Sequence, residues 1–328
     1  MISDVFTTPT RCTLIAGCLW AAGLGFSPGA ASVSAAQDSP VPAEAVTLAG
    51  AQQWILHGDV PARDYLIQAG VPDSPPPANG YPVLYVLDGN AHFPLAVASR
   101  AALTLDGPYG ETVPWLIVGI GYPGVNRFAG AARSEDYTPA LAPGIELDRH
   151  GRPIGGAEAF REFLERQLQP MIARRFTVDE SHQALLGHSY GGLFVLDTLL
   201  EQPQMFSDYI AVSPSLWWQE GRLFDRLEHL GGMNVNDRRV LIGLGEFEAK
   251  AANHGDGGGV STRLSDVARF ADELQRHRPT WHVEDRTFPS VGHGNVMWPA
   301  MAALWPFLAP VVRYDPDSHT PPDDKKAQ

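Results

Sequence analysis

The sequence has 328 residues, of which 44% are hydrophobic and 19% are charged, and its formal net charge is −13 at pH 7. This length and composition are typical of a soluble globular protein with a well-buried core. The negative charge argues against nucleic acid and against anionic membrane surfaces as partners.

Residues 1–36 have the features of a secretory signal. Arg11 precedes a mostly apolar stretch over 12–26, and small residues at 33–36 offer a cleavage site. The apolar stretch is shorter than the ~20 residues of a membrane span. Ile-Ala-Gly-Cys at 15–18 resembles a lipobox, so a lipoprotein signal is the alternative. We expect a periplasmic or secreted protein that has no membrane association after cleavage.

Both cysteines of the chain, Cys12 and Cys18, lie inside this predicted signal. A mature protein without them would have no disulfide, no catalytic thiolate and no cysteine-ligated metal.

After the signal, short apolar runs alternate with helical patterns. Strands are predicted at 46–57, 63–68, 82–87, 115–121, 184–187, 206–212, 240–245 and 281–288. Helices are predicted at 93–103, 157–175, 267–276 and 297–308, with one more after residue 189. This alternation predicts a mostly parallel central sheet with helices on both faces, in a single α/β domain over 37–312.

Three further segments lack this alternation. Residues 122–155 are rich in glycine, proline and charge, and a connection of this length in a compact domain is usually functional. The Gly-rich segment 250–262 is predicted to be mobile, and residues 313–328 are predicted to be a disordered tail.

The strongest motif is Gly187-His188-Ser189-Tyr190-Gly191, which lies between a predicted strand and a predicted helix. This is the nucleophile-elbow pattern of α/β-hydrolases, in which a serine occupies a sharp strand-to-helix turn and its flanking glycines avoid collisions. The bare five-residue pattern also occurs by chance in Gly-rich turns, so the prediction depends on the strand before the motif and the helix after it. Ser189 is the predicted nucleophile.

A serine nucleophile needs a base to take its proton and an acid to orient that base. In α/β-hydrolases the chain order is serine, acid, histidine. Glu246 and Glu248 follow the 240–245 strand, and His293 follows the last predicted strand. We favour Glu248 over Glu246 as the acid and predict His293 as the base. A serine–histidine dyad without a strong acid remains an alternative.

The oxyanion hole is predicted to combine the backbone N–H of Tyr190 with that of Gly89 or Asn90, in the loop after the 82–87 strand. A plain turn is the other interpretation of this Asp-Gly-Asn loop. No metal-ligand cluster, phosphate loop or dinucleotide fingerprint is present, so the sequence predicts neither a metal nor a cofactor.

The predicted substrate-binding residues lie on loops around the nucleophile. Trp217 and Trp218 are either core aromatics or the lining of a pocket for an aromatic substrate, and Arg127 and Arg133 either contact an anionic group or form surface salt bridges. His188, next to the nucleophile, is assigned to the same group. The predicted partner is a small-molecule ester, and the oligomeric state stays open.

Taken together, these motifs resemble the putative-esterase family of α/β-hydrolases. Its members include enterochelin and salmochelin esterases, feruloyl and acetylxylan esterases, S-formylglutathione hydrolase and mycolyltransferases. The matching stretches are 81–90, 136–139, 187–192, 213–218, 245–248 and 292–293. The resemblance covers about residues 45–310, and Ser-Pro-Ser-Leu-Trp-Trp at 213–218 with Gly-Glu-Phe-Glu at 245–248 is most similar to the siderophore-esterase branch.

This resemblance implies hydrolysis of the trilactone of catecholate siderophores such as enterobactin, in the periplasm, and it agrees with Glu248 as the acid. A local patch of Arg127 and Arg133 would have to offset the net charge of −13 if the substrate is an anionic ferric complex. The alternatives are a feruloyl or acetylxylan type of carbohydrate esterase, an acyltransferase, and a non-catalytic siderophore-binding protein.

Overall fold

The computed structural model describes residues 46–103, 114–141, 143–148, 150–230, 233–251 and 264–309. The predicted signal at 1–36, the predicted tail at 313–328 and most of the Gly-rich segment 250–262 lie outside these residues.

Within the described residues, eight strands form one sheet in the order β1-β2-β4-β3-β5-β6-β7-β8. The strands are β1 (Ala51–Gly58), β2 (Arg63–Gly70), β3 (Tyr81–Leu87), β4 (Leu116–Gly121), β5 (Val178–His188), β6 (Asp208–Val212), β7 (Arg239–Gly245) and β8 (His282–Phe288). β1 and β2 are antiparallel to their neighbours, and the strands from β4 to β8 are parallel. The predicted fold class, a mostly parallel α/β sheet, is confirmed.

The central strands are apolar on both faces because helices cover both. Every residue of β3 is buried. Val83, Tyr85 and Leu87 face one layer of core. Leu84 and Val86 face the other. This is the continuous apolar pattern expected of a parallel strand between two helical layers.

The helices divide between these two layers. They are α1 (Gly89–Leu103), α2 (Gly130–Tyr137), α3 (Ala157–Phe163), α4 (Gln169–Arg175), α5 (Tyr190–Glu201), α6 (Arg222–Leu230), α7 (Glu246–Ala251), α8 (Leu264–His277) and α9 (Met297–Leu308). Side chains of α1 and α9 fill one layer. Side chains of α3, α5, α6 and α8 fill the other. None of the helices in the described ranges is both long and apolar enough to cross a bilayer.

Local structure departs from the predictions in five places. The predicted helix over 157–175 is interrupted by a π-helical turn at Leu164–Leu168, between α3 and α4. The segment 122–155 contains α2, whose polar sequence gives no amphipathic pattern but whose Ser134, Asp136 and Tyr137 are buried. The strand predicted from residue 46 begins at Ala51, and α6 and α7 were not predicted.

Parallel strands place their carboxyl ends at one edge of the sheet, where open α/β folds bind ligands. Residues that follow β3, β5, β6, β7 and β8 therefore meet at this edge.

Candidate active site

Ser189 occupies the turn between β5 and α5, with φ 60° and ψ −117°. This backbone conformation is sparsely populated for a residue with a side chain and is typical of functional sites. The Ser189 N–H donates to the carbonyl of Val212, at the end of the neighbouring strand β6, at 3.0 Å. A strained strand-to-helix turn with an exposed hydroxyl is the geometry of a nucleophile elbow.

The two glycines of the motif differ in how much room the structure leaves for a side chain. A Cβ on Gly187 would lie 2.3 Å from the carbonyl oxygen of Gly191, so no side chain fits there. A Cβ on Gly191 would meet Leu87 at 3.6 Å, which is an ordinary contact. The expectation that side chains on both glycines would collide with their neighbours is therefore right for Gly187 and wrong for Gly191.

The structure brings together the three residues that the sequence predicts as catalytic. His293 Nε2 lies 3.1 Å from Ser189 Oγ. His293 Nδ1 lies 2.7 Å from Glu248 Oε2. A base that contacts both a hydroxyl and a carboxylate can take the hydroxyl proton while the carboxylate stabilises the resulting imidazolium.

Glu248 is buried, with 6% of its surface exposed. Burial acts to raise the pKa of this carboxyl, but hydrogen bonds from His293, Ser213 and the Gly245 N–H outweigh burial and lower its pKa. The Ser213 hydroxyl donates to Oε1 at 2.7 Å, and the Gly245 N–H donates to the same oxygen at 3.0 Å. The side chain is therefore a carboxylate at neutral pH, with one oxygen held by two donors and the other facing His293.

Glu246 contacts the backbone of the loop that carries His293, and not the His293 ring. Its Oε2 accepts a hydrogen bond from the Ser290 N–H at 2.9 Å. The Phe247 N–H donates to the Val291 carbonyl at 2.9 Å. The turn that begins α7 therefore holds the loop that carries His293 at two backbone points, in addition to the Glu248 contact.

The predicted oxyanion donors lie at helix N-termini. Tyr190 is the first residue of α5, and Gly89 and Asn90 are the first two residues of α1. N–H groups in the first turn of a helix have no intrahelical acceptor, so they are suited to an oxyanion. A Cβ on Gly89 would lie 2.7 Å from the backbone nitrogen of Ile120, so packing against β4 requires this glycine.

The Asn90 side chain anchors the loop after β4. Its Nδ2 donates to the carbonyls of Tyr122 and Val125 at 3.0 and 2.8 Å, and its Oδ1 accepts from the Tyr122 N–H at 2.7 Å. The sequence pattern pointed only to the backbone of Asn90 and gave no sign of this side-chain function. The part of either residue in an oxyanion hole stays a prediction.

A cavity of about 690 Å³ opens beside Ser189 and His293. Trp217 and Trp218 form one part of its wall, as the pocket-lining interpretation expects, while Trp218 is also buried in the core and Trp217 packs against that core. Apolar residues of the 122–155 segment form another part, namely Leu141, Ile145, Leu147 and Ile154.

The expected positive patch is not formed by Arg127 and Arg133. Arg133 lines the cavity, but its Nε and one terminal nitrogen contact both carboxylate oxygens of Asp88 at 2.8 and 2.9 Å. Arg127 is not among the residues that line the cavity and lies over the Phe128 ring, 5.5 Å from its centroid. The guanidinium charge of Arg133 is neutralised locally, and Asp88, which neutralises it, was not singled out from the sequence.

His188 does not line the cavity either. It is buried, with 7% of its surface exposed, and its ring lies against the ring of His293 with centroids 4.6 Å apart. The assignment of His188 to substrate binding has no support in this placement, because its ring lies against the base and is not among the residues of the cavity wall.

Comparison with known proteins agrees with this geometry. The family described as "Putative esterase" matches residues 60–298. The ferri-bacillibactin esterase BesA of Bacillus subtilis strain 168 is 35% identical over 218 residues, which cover 62% of this chain and 73% of BesA. The apo-salmochelin esterase of Escherichia coli O6:H1 strain CFT073 is 32% identical over 235 residues, 71% of this chain and 70% of the relative.

Among solved structures, the BES protein from Bacillus cereus superposes with a TM-score of 0.72 at 27% identity, covering 83% of this chain and all of that protein.

Proposed function

The chain belongs to the putative-esterase family and is a serine esterase, and from this premise we propose that it hydrolyses the ester bonds of a siderophore at Ser189. The observation that carries the proposal is the continuous contact from Ser189 Oγ through His293 to the buried Glu248 carboxylate. The two curated relatives described above, each at least 32% identical, are both named as esterases of siderophores.

The proposed reaction proceeds through an acyl-enzyme. Ser189 Oγ attacks the ester carbonyl while His293 Nε2 takes the hydroxyl proton, and Glu248 stabilises the imidazolium. The tetrahedral oxyanion is held by the backbone N–H of Tyr190 and by that of Gly89 or Asn90. His293 then protonates the departing alcohol. A water molecule, deprotonated by the same histidine, releases the acid and regenerates the Ser189 hydroxyl.

The chemistry of the cavity favours an aromatic acyl arm without a large negative charge. Its tryptophans and aliphatic residues offer apolar and aromatic surface to a catechol ring. Its arginines have acidic partners: Arg133 is paired with Asp88, and Arg152 contacts Asp148 at 2.8 Å. An iron-free catechol is uncharged at neutral pH, whereas a ferric tris-catecholate is an anion. We therefore infer that the iron-free siderophore is the preferred substrate.

We also propose that the reaction takes place after export, because residues 1–36 have the charge, length and small-residue pattern of a secretory signal. Fractionation of cells that express the full chain, followed by detection of the mature protein, tests this. Recovery of an uncleaved chain in the cytoplasm would contradict it.

The test of the reaction is hydrolysis by the purified protein of iron-free enterobactin, ferric enterobactin, methyl ferulate and p-nitrophenyl acetate, with Ser189→Ala as the control. We expect trilactone cleavage well above that of the two simple esters, faster without iron, and loss of all activity in Ser189→Ala. Activity on the simple esters alone would refute the siderophore substrate, and an active Ser189→Ala would refute the nucleophile.

A further inference from the structure

His188 lies next to Ser189 in the chain, yet its side chain takes no part in the contacts between Ser189, His293 and Glu248. It is the last residue of β5 and is 7% exposed. Its ring packs against His293 at a centroid distance of 4.6 Å and an interplanar angle of 40°. The ring of His92, from α1, also meets the His188 ring, edge-on at 5.8 Å and 88°. His188 therefore contacts both the ring of the base and the ring of His92.

The base itself has few other contacts. The side chain of His293 is 52% exposed, and its ring nitrogens are used by Ser189 and Glu248. Two hydrogen bonds in the plane of an imidazole leave the ring free to rock about the line between them. A buried ring against one face removes this freedom, and among the described aromatic contacts of His293 that ring is His188.

His188 is also tied to the backbone of the base. Burial lowers the pKa of His188 well below its usual value, the neighbouring His293, His92 and Arg133 lower it further, and a hydrogen bond to the backbone of His293 opposes them. The ring is therefore neutral near pH 7 and carries one N–H. Its Nε2 has no hydrogen-bond partner within the described parts of the chain.

An uncharged His188 ring is compatible with the protonation of His293 during catalysis. During attack His293 becomes an imidazolium, and a second positive charge at 4.6 Å would oppose that step. A phenylalanine would be neutral as well but could not bond the backbone of His293. Histidine at position 188 combines an uncharged flat surface with one donor.

We propose that His188 is a positioning residue, which packs against the His293 ring and, through its Nδ1, bonds the backbone of His293 so that Nε2 of the base stays aligned with Ser189. This proposal rests on the proposed catalytic function of Ser189 and His293. Because His188 lies outside the cavity wall, its loss lowers kcat and leaves KM for a small ester nearly unchanged.

The test is a set of four variants assayed with p-nitrophenyl acetate. His188→Asn places an amide nitrogen near the position of Nδ1, whereas His188→Gln places it near the position of Nε2. His188→Phe keeps the ring without a donor, and His92→Phe makes the same change one ring further from the base. Ser189→Ala and His293→Ala test the catalytic function itself.

We expect kcat to fall about tenfold or more in His188→Phe and His188→Gln, as expected for loss of one positioning hydrogen bond, with KM within about threefold. His188→Asn should restore most of kcat, and His92→Phe should keep kcat within about twofold. Thermal unfolding of each variant separates a fall in kcat from loss of folded protein.

Three results would overturn the proposal while Ser189→Ala and His293→Ala stay inactive: wild-type kcat in His188→Phe, an equal loss in His92→Phe, or rescue by glutamine and not by asparagine. If His188→Phe does not fold, the asparagine and glutamine pair decides alone. Activity in Ser189→Ala would instead refute the proposed function, whatever the His188 variants do.

Discussion

Replacing Glu248 by glutamine tests the acid of the proposed triad with almost no change in side-chain volume. The wild-type Oε1 accepts from the Gly245 N–H and the Ser213 hydroxyl. The hydroxyl can rotate, but the backbone N–H cannot accept a hydrogen bond. The amide oxygen of the glutamine therefore takes the Oε1 position, and its NH₂ group takes the Oε2 position. In the wild type Oε2 lies 2.7 Å from His293 Nδ1, so the NH₂ group faces that nitrogen.

An NH₂ group in this position requires Nδ1 of His293 to be the acceptor, so the ring proton moves to Nε2. Nε2 then faces the Ser189 hydroxyl with a proton and cannot act as a base. A wrong tautomer of this kind lowers kcat by about 10³–10⁴, which corresponds to about 4–5.5 kcal/mol of transition-state stabilisation. KM for a small ester should change little.

The assay compares kcat for p-nitrophenyl acetate in wild type, Glu248→Gln and Glu246→Gln. Glu246→Gln is the matched control, because it removes the same charge two residues away and its Oε1 can still accept the Ser290 N–H. We expect this control to lose less than about tenfold, since the hydrogen bond to the Ser290 N–H is weakened but kept and Glu246 does not contact His293 Nδ1. Circular dichroism and thermal unfolding of both variants verify the fold.

A Glu248→Gln enzyme that keeps more than about a tenth of wild-type kcat would refute this reasoning and favour a serine–histidine dyad. A larger loss of kcat in Glu246→Gln than in Glu248→Gln would show that Glu246, and not Glu248, is the acid.

Three further predictions concern stability. Burial raises the pKa of Asp136 to about 7, so the folded state keeps a proton that the unfolded state loses near pH 4, and this carboxyl lowers stability as the pH rises from about 4 to 7. In urea unfolding, wild type should therefore lose stability relative to Asp136→Asn over that range, and a difference independent of pH would contradict the assignment. Glu220 is exposed and has φ 59°, in the left-handed region. Glu220→Gly should therefore raise the free energy of unfolding by about 0.5–1 kcal/mol, whereas Glu228→Gly within α6 should lower it by about 1 kcal/mol. A lower melting temperature for Glu220→Gly would contradict this prediction. Gly187→Ala should abolish soluble expression or activity and Gly191→Ala should be tolerated, a contrast that fails if both express and hydrolyse esters equally.

The catalytic candidates could be found from the sequence because each follows a strand. Ser189, Glu248 and His293 come after β5, β7 and β8, and parallel strands end at one edge. A carboxylate, an imidazole and a hydroxyl in the chain order of a known fold therefore predict a common location. The choice of Glu248 over Glu246 depended on the shape of one turn, which the three-dimensional structure supplies directly.

Other features are invisible in a linear pattern. The pairing of Arg133 with Asp88 joins positions 45 apart in sequence, so composition alone could not show that the arginine is neutralised. The helix α2 has too few apolar residues for a periodic pattern and depends on buried polar groups such as Asp136. The contact of His188 with His293 joins positions 105 apart in sequence, and no propensity rule predicts it.

The turn at the start of α7 also reduces the number of parts that must be aligned for catalysis. It carries the acid, and it fixes the backbone of the base at Ser290 and Val291. The positions of acid and base are consequently set by the same short turn. The nucleophile comes from the end of a different strand, and the 3.1 Å separation of His293 Nε2 and Ser189 Oγ joins it to this pair.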